Sequence, residues 1–177
     1  MSHDDAGYSP HEEFVISRTV NAPRELVWKA HTEPERLAQW WGPKGFIFLS
    51  CTVDLRPGGV FHYGMAAPDG TEMWGKFVYR EIKEPERLVY VLSFSDAEGG
   101  TARHPLATGW PLEMLNTILL TEDGEKTTVT IKGGPLNATE SERRTYVEGH
   151  GSMHQGFTGT YDQLEAYLVH EREGLSS

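Results

Sequence analysis

Turn motifs punctuate the sequence between residues 46 and 133 and separate six segments with strand-like residue patterns. The turns are rich in Gly, Pro and Asp, which supply the backbone conformations that chain reversals need. Strands joined by such short turns predict an antiparallel sheet, because parallel strands need longer crossover connections. The six segments are FIFLSCTVDL, VFHYGMAA, EMWGKFVYREI, RLVYVLSF, LEMLNTILLT and KTTVTIKG.

A further strand and two short helices are predicted before this region. Residues 13–20 alternate apolar and polar side chains, which is typical of a strand with one buried face. Asn21-Ala22-Pro23 then predicts the entry to a first helix, and Thr32 and Glu35 have the spacing of a capping box for a second. The second helix is expected to end at Gly42-Pro43, since Pro cannot continue a helix.

A long helical segment is predicted after the strands, over residues 140–172. Thr139 and Glu142 have capping-box spacing, and an apolar stripe follows at helical intervals. Gly149 and Gly156 lie beside that stripe, which indicates close approach to a neighbour or room left for something else. Two further glycines lie between residues 149 and 159, so we expect a kink or break there.

One domain accounts for this organisation, because 177 residues match the usual size of a single domain. We assign residues 1–12 to a flexible, polar N-terminus, residues 13–172 to the domain and residues 173–177 to a C-terminal tail. The connection over residues 96–111 is longer than a usual hairpin loop. It is either a lid or a disordered insertion, and we favour the insertion.

The charge and cysteine content exclude several classes of protein. Sixteen basic and 26 acidic side chains give a net charge of −10, which opposes binding to the phosphates of nucleic acids. The single cysteine, Cys51, excludes a disulfide framework and a multi-cysteine zinc site. No apolar run approaches the roughly 18 residues of a membrane span, and the first residues lack signal-peptide features. We therefore expect a cytoplasmic protein without membrane insertion.

Several short sequence motifs occur in the same order as in a known superfamily. They lie at residues 22–28, 32–35, 40–43, 54–59, 69–71, 75, 79–82, 85–88 and 149–157. Together they resemble the SRPBCC superfamily, which includes START and polyketide cyclase-like proteins. Within it, the sequence is similar to the branch named for the C-terminal domain of the activator of the heat-shock-protein-90 ATPase.

The resemblance implies an α+β helix-grip fold. In this fold a curved, seven-stranded antiparallel sheet wraps around a long C-terminal helix, and two short helices follow the first strand. A cavity opens between sheet and helix, and relatives use it for lipids, sterols, polyketides or plant metabolites. Some relatives are cyclases or dehydratases, others only carry ligands, and the eukaryotic co-chaperone acts through a protein interface.

Strand alternation and the helix stripe identify the side chains that would line such a cavity. They are Trp41, Phe61, Tyr63, Met65, Phe77, Tyr79, Met114, Asn116, Ile118, His150, Met153, Phe157 and Tyr161. The alternative interpretation is that the same residues interdigitate as an ordinary core. Trp40 and Trp41 cannot both point inward from one helix, so we expect one to pack and the other to lie near the cavity mouth.

No motif for catalysis, metal binding or a cofactor is evident. His150 and His154 are four residues apart, but no HExxH pattern supports a metal site, and we predict neither metal nor cofactor. His150 is more readily interpreted as a residue that hydrogen-bonds a ligand or a buried polar partner. The strand carboxylates that could act as acids or bases are Asp54, Glu72, Glu81 and Glu113, although Asp54 with Arg56 also fits a surface ion pair.

Three functions remain open at this stage. We favour a protein that binds a small apolar or aromatic ligand, lipid-like or polyketide-like, between the sheet and the C-terminal helix. The second is a cyclase or hydrolase that uses a cavity Asp, Glu or His, for which the sequence identifies no catalytic residue. The third is a chaperone-associated ATPase-activator module. A homodimer and a chaperone partner are left open.

Overall fold

The computed structural model describes residues 8–104, 107 and 109–176, with residues 172–176 described by their backbone only. The strands are β1 (Phe14–Val20), β2 (Ile47–Val53), β3 (Val60–Ala66), β4 (Glu72–Lys83), β5 (Arg87–Ser95), β6 (Thr101–Ala102), β7 (Glu113–Asp123) and β8 (Lys126–Leu136). The helices are α1 (Arg24–Thr32), α2 (Pro34–Trp40), α3 (Glu140–Glu148) and α4 (His150–Ser176). Among these described helices, none is both long and apolar enough to cross a membrane.

Seven strands form one antiparallel sheet in the order β1-β8-β7-β5-β4-β3-β2. This arrangement confirms the predicted α+β class and the seven-stranded sheet with a long C-terminal helix. The eighth strand, β6, has two residues and pairs only with β5. It lies inside the connection over residues 96–111, so part of that segment forms a short hairpin rather than an unstructured insertion. Residues 105, 106 and 108 of the connection lie outside the described residues.

The inner face of the sheet packs against α1, α2 and α4 to form the main core. Strand register aligns one row of inner-face residues across five strands: Phe14, Gly133, Asn116, Tyr90 and Tyr79. Tyr161, Leu164 and Leu168 of α4 are buried in the same core. In β1 the buried and exposed residues alternate as predicted, because one face of this edge strand meets the core and the other meets solvent.

One of the two predicted capping boxes forms. The Thr139 side chain accepts a hydrogen bond from the Glu142 amide at 3.1 Å, and the Glu142 carboxylate accepts one from the Thr139 amide at 3.0 Å. The box predicted at Thr32 is wrong, because α1 continues through Thr32 and its hydroxyl donates instead to the Trp28 carbonyl at 2.9 Å. A threonine within a helix commonly bonds the carbonyl four residues earlier.

The C-terminal helical segment breaks at Gly149, as the glycine pattern predicts. A Cβ atom at Gly149 would lie 2.8 Å from Trp110 Cζ3, so this glycine permits close approach of the ring. At Gly156 no neighbouring element approaches closely, since a Cβ atom there would meet nothing within 4 Å. Of the two interpretations of this glycine, close approach is therefore excluded. A Cβ atom at Gly151 or Gly159 would likewise meet nothing within 4 Å.

The N-terminal segment from Tyr8 onward packs on the domain, although the sequence assigned residues up to 12 to a flexible terminus. Pro10–Glu12 form a single 3-10 turn. The Glu12 carboxylate, almost fully buried, accepts a hydrogen bond from Arg143 of α3 at 2.8 Å. The Tyr8 ring lies against Gly134 of β8. Residues 1–7 lie outside the described residues.

Candidate functional site

A small pocket of about 90 Å³ lies where α4 crosses β1 and β8. It is lined by Ile16, Ser17, Arg18, Val129, Ile131, His154, Phe157, Thr158 and Tyr161. Apolar side chains from all three elements form its inner wall, because β1 and β8 point the same face toward the helix. Polar side chains occupy the rim.

Arg18 anchors α4 at the rim of this pocket. Its guanidinium donates to Asp162 at 2.6 Å, to Glu165 at 2.9 Å and to the Thr158 carbonyl at 3.1 Å. The hydrogen bond to Glu165, followed by that to Asp162, raises the pKa of Arg18 above its usual value. Arg18 thus bonds both carboxylates at the rim and holds α4 to β1 between residues 158 and 165.

The predicted aromatic wall forms a continuous ring cluster, but that cluster lies in the main core rather than around the pocket. The Trp41 ring lies 6.3 Å from Phe61, 6.2 Å from Tyr63 and 5.5 Å from Phe77, in edge-to-face arrangements. Such geometry is the favourable one for aromatic pairs. Met65, Tyr79 and Ile118 are also buried in this core. Of the predicted lining residues, Phe157 and Tyr161 line the pocket.

The paired tryptophans diverge as the sequence predicts. Trp40 is buried and its indole N–H donates to the Ala30 carbonyl at 2.9 Å. Trp41 is half-buried and its ring plane makes an angle of 85° with that of Trp40. Trp40 is therefore the packing residue, and Trp41 covers the aromatic cluster.

Two buried polar atoms converge beside Gly133. Asn116 is 6% exposed and Tyr146 is 0% exposed. Neither the Asn116 Oδ1 atom nor the Tyr146 hydroxyl has a hydrogen-bond partner within the part of the chain that the structure describes. A Cβ atom at Gly133 would overlap Asn116 Oδ1 and lie 3.3 Å from the Tyr146 hydroxyl. The glycine therefore lets the Asn116 side chain approach the β8 backbone closely, and the Tyr146 hydroxyl lies near the same point.

Burial keeps the phenols around this point neutral. It raises the pKa of Tyr146 and of Tyr90 well above the usual range, and for Tyr90 it outweighs a hydrogen bond with Asn116 that acts in the opposite direction. A neutral phenol keeps its proton and can donate a hydrogen bond. The site thus offers a donor at Tyr146 and an acceptor at Asn116.

A buried histidine fixes Tyr161, one of the pocket residues. His31 Nδ1 lies 2.8 Å from the Val27 carbonyl, which can only accept, so this nitrogen carries the proton. Nε2 therefore accepts from the Tyr161 hydroxyl at 2.9 Å. Burial lowers the pKa of His31 to about 4, which keeps the ring neutral near pH 7. The Tyr161 hydroxyl is therefore engaged by the protein, and its ring faces the pocket.

Met114, His150 and Met153 lie at the α3–α4 junction. Met114 is buried beside Phe14 and Tyr146, and Met153 packs against the same cluster. His150 Nε2 donates to the Glu12 carbonyl at 3.2 Å, so this histidine bonds a polar group of the protein, which was one of the two predicted partners. Its ring lies between those of Phe14 and Tyr146, at 5.6 and 5.3 Å.

The candidate acids and bases of the strands lie away from the pocket. Asp54 forms the expected ion pair with Arg56 at 2.8 Å, and Glu81 pairs with Arg87 at 3.3 Å. Glu72 accepts from the Trp74 indole at 3.0 Å, and Glu113 begins β7. None of the described pocket-lining residues is a carboxylate. Likewise, no group of three or more metal-binding side chains occurs among residues whose placement is described.

Sequence reasoning missed the β1–β8 wall of the pocket and two of its polar neighbours. Ile16 and Ile131 are opposite each other in register, which no local pattern reveals. Tyr90 could have been found, because Leu88, Tyr90 and Leu92 alternate on one strand face. His31 gave no signal, since its role depends on contact with Tyr161, 130 residues away.

Comparisons with known proteins agree with this architecture. The family model for activator of Hsp90 ATPase homolog 1-like proteins matches residues 21–169. A crystal structure of a protein from Nitrosomonas europaea has a TM-score of 0.73 and 27% identity, and the alignment covers 94% of this chain and 99% of the other. A solution structure from Arthrobacter aurescens has a TM-score of 0.73 and 25% identity, with 92% and 90% covered.

A structure named AHSA1 from Silicibacter pomeroyi shares the fold, with a TM-score of 0.65 at 17% identity over 90% of this chain and 99% of that one. No curated protein matches the sequence. The family match covers most of the chain and includes α1, α2, the whole sheet beyond β1 and most of α4. The protein therefore belongs to the family of activator of Hsp90 ATPase homolog 1-like proteins.

Proposed function

We propose that this protein binds a small apolar or aromatic molecule between α4 and strands β1 and β8. The observation that carries the proposal is the pocket at this seam, whose inner wall is formed by Ile16, Ile131 and Phe157. Small-molecule sites are concave, largely apolar and bordered by a few polar groups. Lipid-like and polyketide-like molecules have the apolar surface that such a wall accommodates.

The size of the pocket implies that α4 moves when a ligand binds. About 90 Å³ is less than the roughly 150 Å³ of an apolar cavity that holds benzene, and far less than the 300–1,000 Å³ of typical ligand sites. Residues 150–160 of α4 contain no buried residue. This half of the helix is therefore the part of the wall that can be displaced at the lowest cost in buried contacts.

Binding is favoured over catalysis because the pocket wall lacks the carboxylates that a cyclase or hydrolase would use. Among its described residues the single imidazole is that of His154, which lies on the exposed side of α4. The net charge of −10 also keeps a nucleic acid out of the proposal. The expected compartment remains the cytoplasm.

A thermal-shift panel of apolar and aromatic compounds tests the proposal. A ligand at 100 times its dissociation constant should stabilise the protein by about 2.7 kcal/mol. The variant Ile16→Phe fills the pocket and should abolish this shift. Val15→Phe is the matched control, because Val15 is the neighbouring residue on the exposed face of β1 and is 48% exposed. Equal shifts in both variants would place the ligand elsewhere.

A chaperone partner is a second proposal, supported by the family name and by one surface feature. The edge strand β2 exposes Ile47 at 65% and Leu49 at 47%, which is apolar surface that a protein partner could cover. The test is ATP hydrolysis by an Hsp90-type chaperone with and without this protein. Stimulation that is lost in Ile47→Glu would support the proposal, whereas an unchanged rate with the wild-type protein would refute it.

A further inference from the structure

We propose that the ligand is an uncharged molecule with a hydroxyl group, and that Asn116 and Tyr146 bind this hydroxyl beside Gly133. The inference rests on the proposed binding function and specifies its ligand class. Its basis is the pair of buried polar atoms without partners in the described part of the chain. Asn116 and Tyr146 come from different elements, β7 and α3, yet both polar atoms lie close to the same glycine, Gly133.

The chemistry of the two atoms selects a hydroxyl. Asn116 Oδ1 can only accept a hydrogen bond, and the neutral Tyr146 phenol can donate one. A hydroxyl group donates and accepts at once, so it satisfies both atoms. A hydrocarbon satisfies neither of them, and a carboxylate cannot donate to Asn116.

Charge disfavours an anionic ligand at the same place. Arg18 is the one permanently cationic side chain among the described residues that line the pocket. Its guanidinium is already engaged by Asp162 and Glu165 at the rim. The His150 ring, 5.3 Å from that of Tyr146, is likewise engaged, because its Nε2 bonds the Glu12 carbonyl. A carboxylate beside Gly133 would therefore be buried without a free cationic partner, which is costly.

The polar pair lies within reach of the pocket. Ile131 lines the pocket, and Gly133 follows it on the same face of β8, about 7 Å further along the strand. Phe14, opposite Gly133 in register, lies 5.6 Å from the pocket residue Phe157 with nearly parallel rings. A molecule of about two fused rings that packs on Phe157 would therefore place a terminal hydroxyl near Asn116 and Tyr146.

Three matched probes test the inference with the full chain: naphthalene, 2-naphthol and 2-naphthoate, titrated by calorimetry. We expect 2-naphthol to bind about ten-fold more tightly than naphthalene, which is the gain from one or two neutral hydrogen bonds. We expect 2-naphthoate to bind at least ten-fold more weakly than 2-naphthol. Tyr146→Phe should reduce the preference for 2-naphthol over naphthalene to less than about three-fold and leave naphthalene affinity unchanged.

Tyr79→Phe is the control variant. The Tyr79 hydroxyl is also buried without a described partner, but its strand, β4, is separated from β7 by β5. Its removal should leave the preference for 2-naphthol intact. Asn116→Leu removes the hydrogen-bond acceptor and should also reduce the preference for 2-naphthol over naphthalene.

The outcomes separate the two proposals. Equal affinity for 2-naphthol and naphthalene, as expected if a buried water satisfies both atoms, would overturn the inference and leave the binding function standing. Tighter binding of 2-naphthoate, or a preference that persists in Tyr146→Phe, would also overturn it. Failure of all three probes to bind would instead overturn the proposed binding function.

Discussion

Two glycines of α4 are expected to lower the stability of the helix that covers the pocket. At Gly156 and Gly159 an added Cβ atom would meet nothing within 4 Å, so no packing contact requires a glycine there. Glycine in a helix interior costs about 0.8–1 kcal/mol relative to alanine. The double variant Gly156→Ala/Gly159→Ala should therefore raise the free energy of unfolding by about 1–2 kcal/mol.

Thermal denaturation followed by circular dichroism at 222 nm measures this gain. For a chain of this length, each 1 kcal/mol shifts the Tm by about 2–4 °C, so the double variant should melt about 2–8 °C higher. Gly149→Ala is the control with the opposite sign, because its Cβ atom would lie 2.8 Å from Trp110 Cζ3. That variant should melt below the wild type.

The same double variant tests whether α4 unwinds to admit a ligand. If residues 150–160 open locally, stabilising them by about 1–2 kcal/mol should slow association of 2-naphthol by roughly five- to thirty-fold in stopped-flow fluorescence. A lower Tm would refute the reasoning about the glycines. A higher Tm with an unchanged association rate would show that the pocket opens without unwinding this part of α4.

Three further predictions concern stability and thiol reactivity. The pKa of folded His31 is about 4 and that of an unfolded histidine is about 6.5, so the unfolded state binds the extra proton between these values. The free energy of unfolding should therefore fall by up to about 3 kcal/mol as the pH drops from 6.5 to 4. In urea titrations at several pH values, His31→Gln should lack this part of the decrease. Thr139→Ala removes the hydroxyl that accepts from the Glu142 amide and should cost about 1 kcal/mol in urea denaturation, and an unchanged free energy of unfolding would contradict the capping role. Burial raises the pKa of Cys51 from 9.0 to about 11, so at pH 8 the native thiol should react with Ellman's reagent about 100-fold more slowly than the unfolded chain, and equal rates would contradict its half-buried position.

The parts of the fold that follow from local chemistry could be predicted from the sequence. Alternation identified β1, and the spacing of Thr139 and Glu142 identified the start of α3. The break at Gly149 followed from the glycine pattern. The prediction of a capping box at Thr32 was wrong because α1 and α2 adjoin there, and the Thr32 hydroxyl bonds a carbonyl of α1 instead of an amide of α2.

The candidate site depends mainly on contacts between distant parts of the chain, which local patterns do not encode. The pocket wall requires the register of β1 against β8, so Ile16 and Ile131 were not identified. Alternation identified Asn116 as an inner-face residue, but its position beside Tyr146 depends on Gly133 in the next strand. The alternation of aromatic residues likewise placed Phe61 and Phe77 on the inner face of the sheet. Their packing against Trp41 became evident only from the structure.

The most direct test of binding at the α4–β1–β8 seam is an amide NMR titration of the labelled protein with 2-naphthol. We expect saturable shifts at Ile131, Gly133 and Phe157, which surround the pocket and the polar pair, and none at Ile47 or Thr52 on the far edge strand β2. Absence of saturable shifts, or shifts confined to β2, would contradict binding between the sheet and α4.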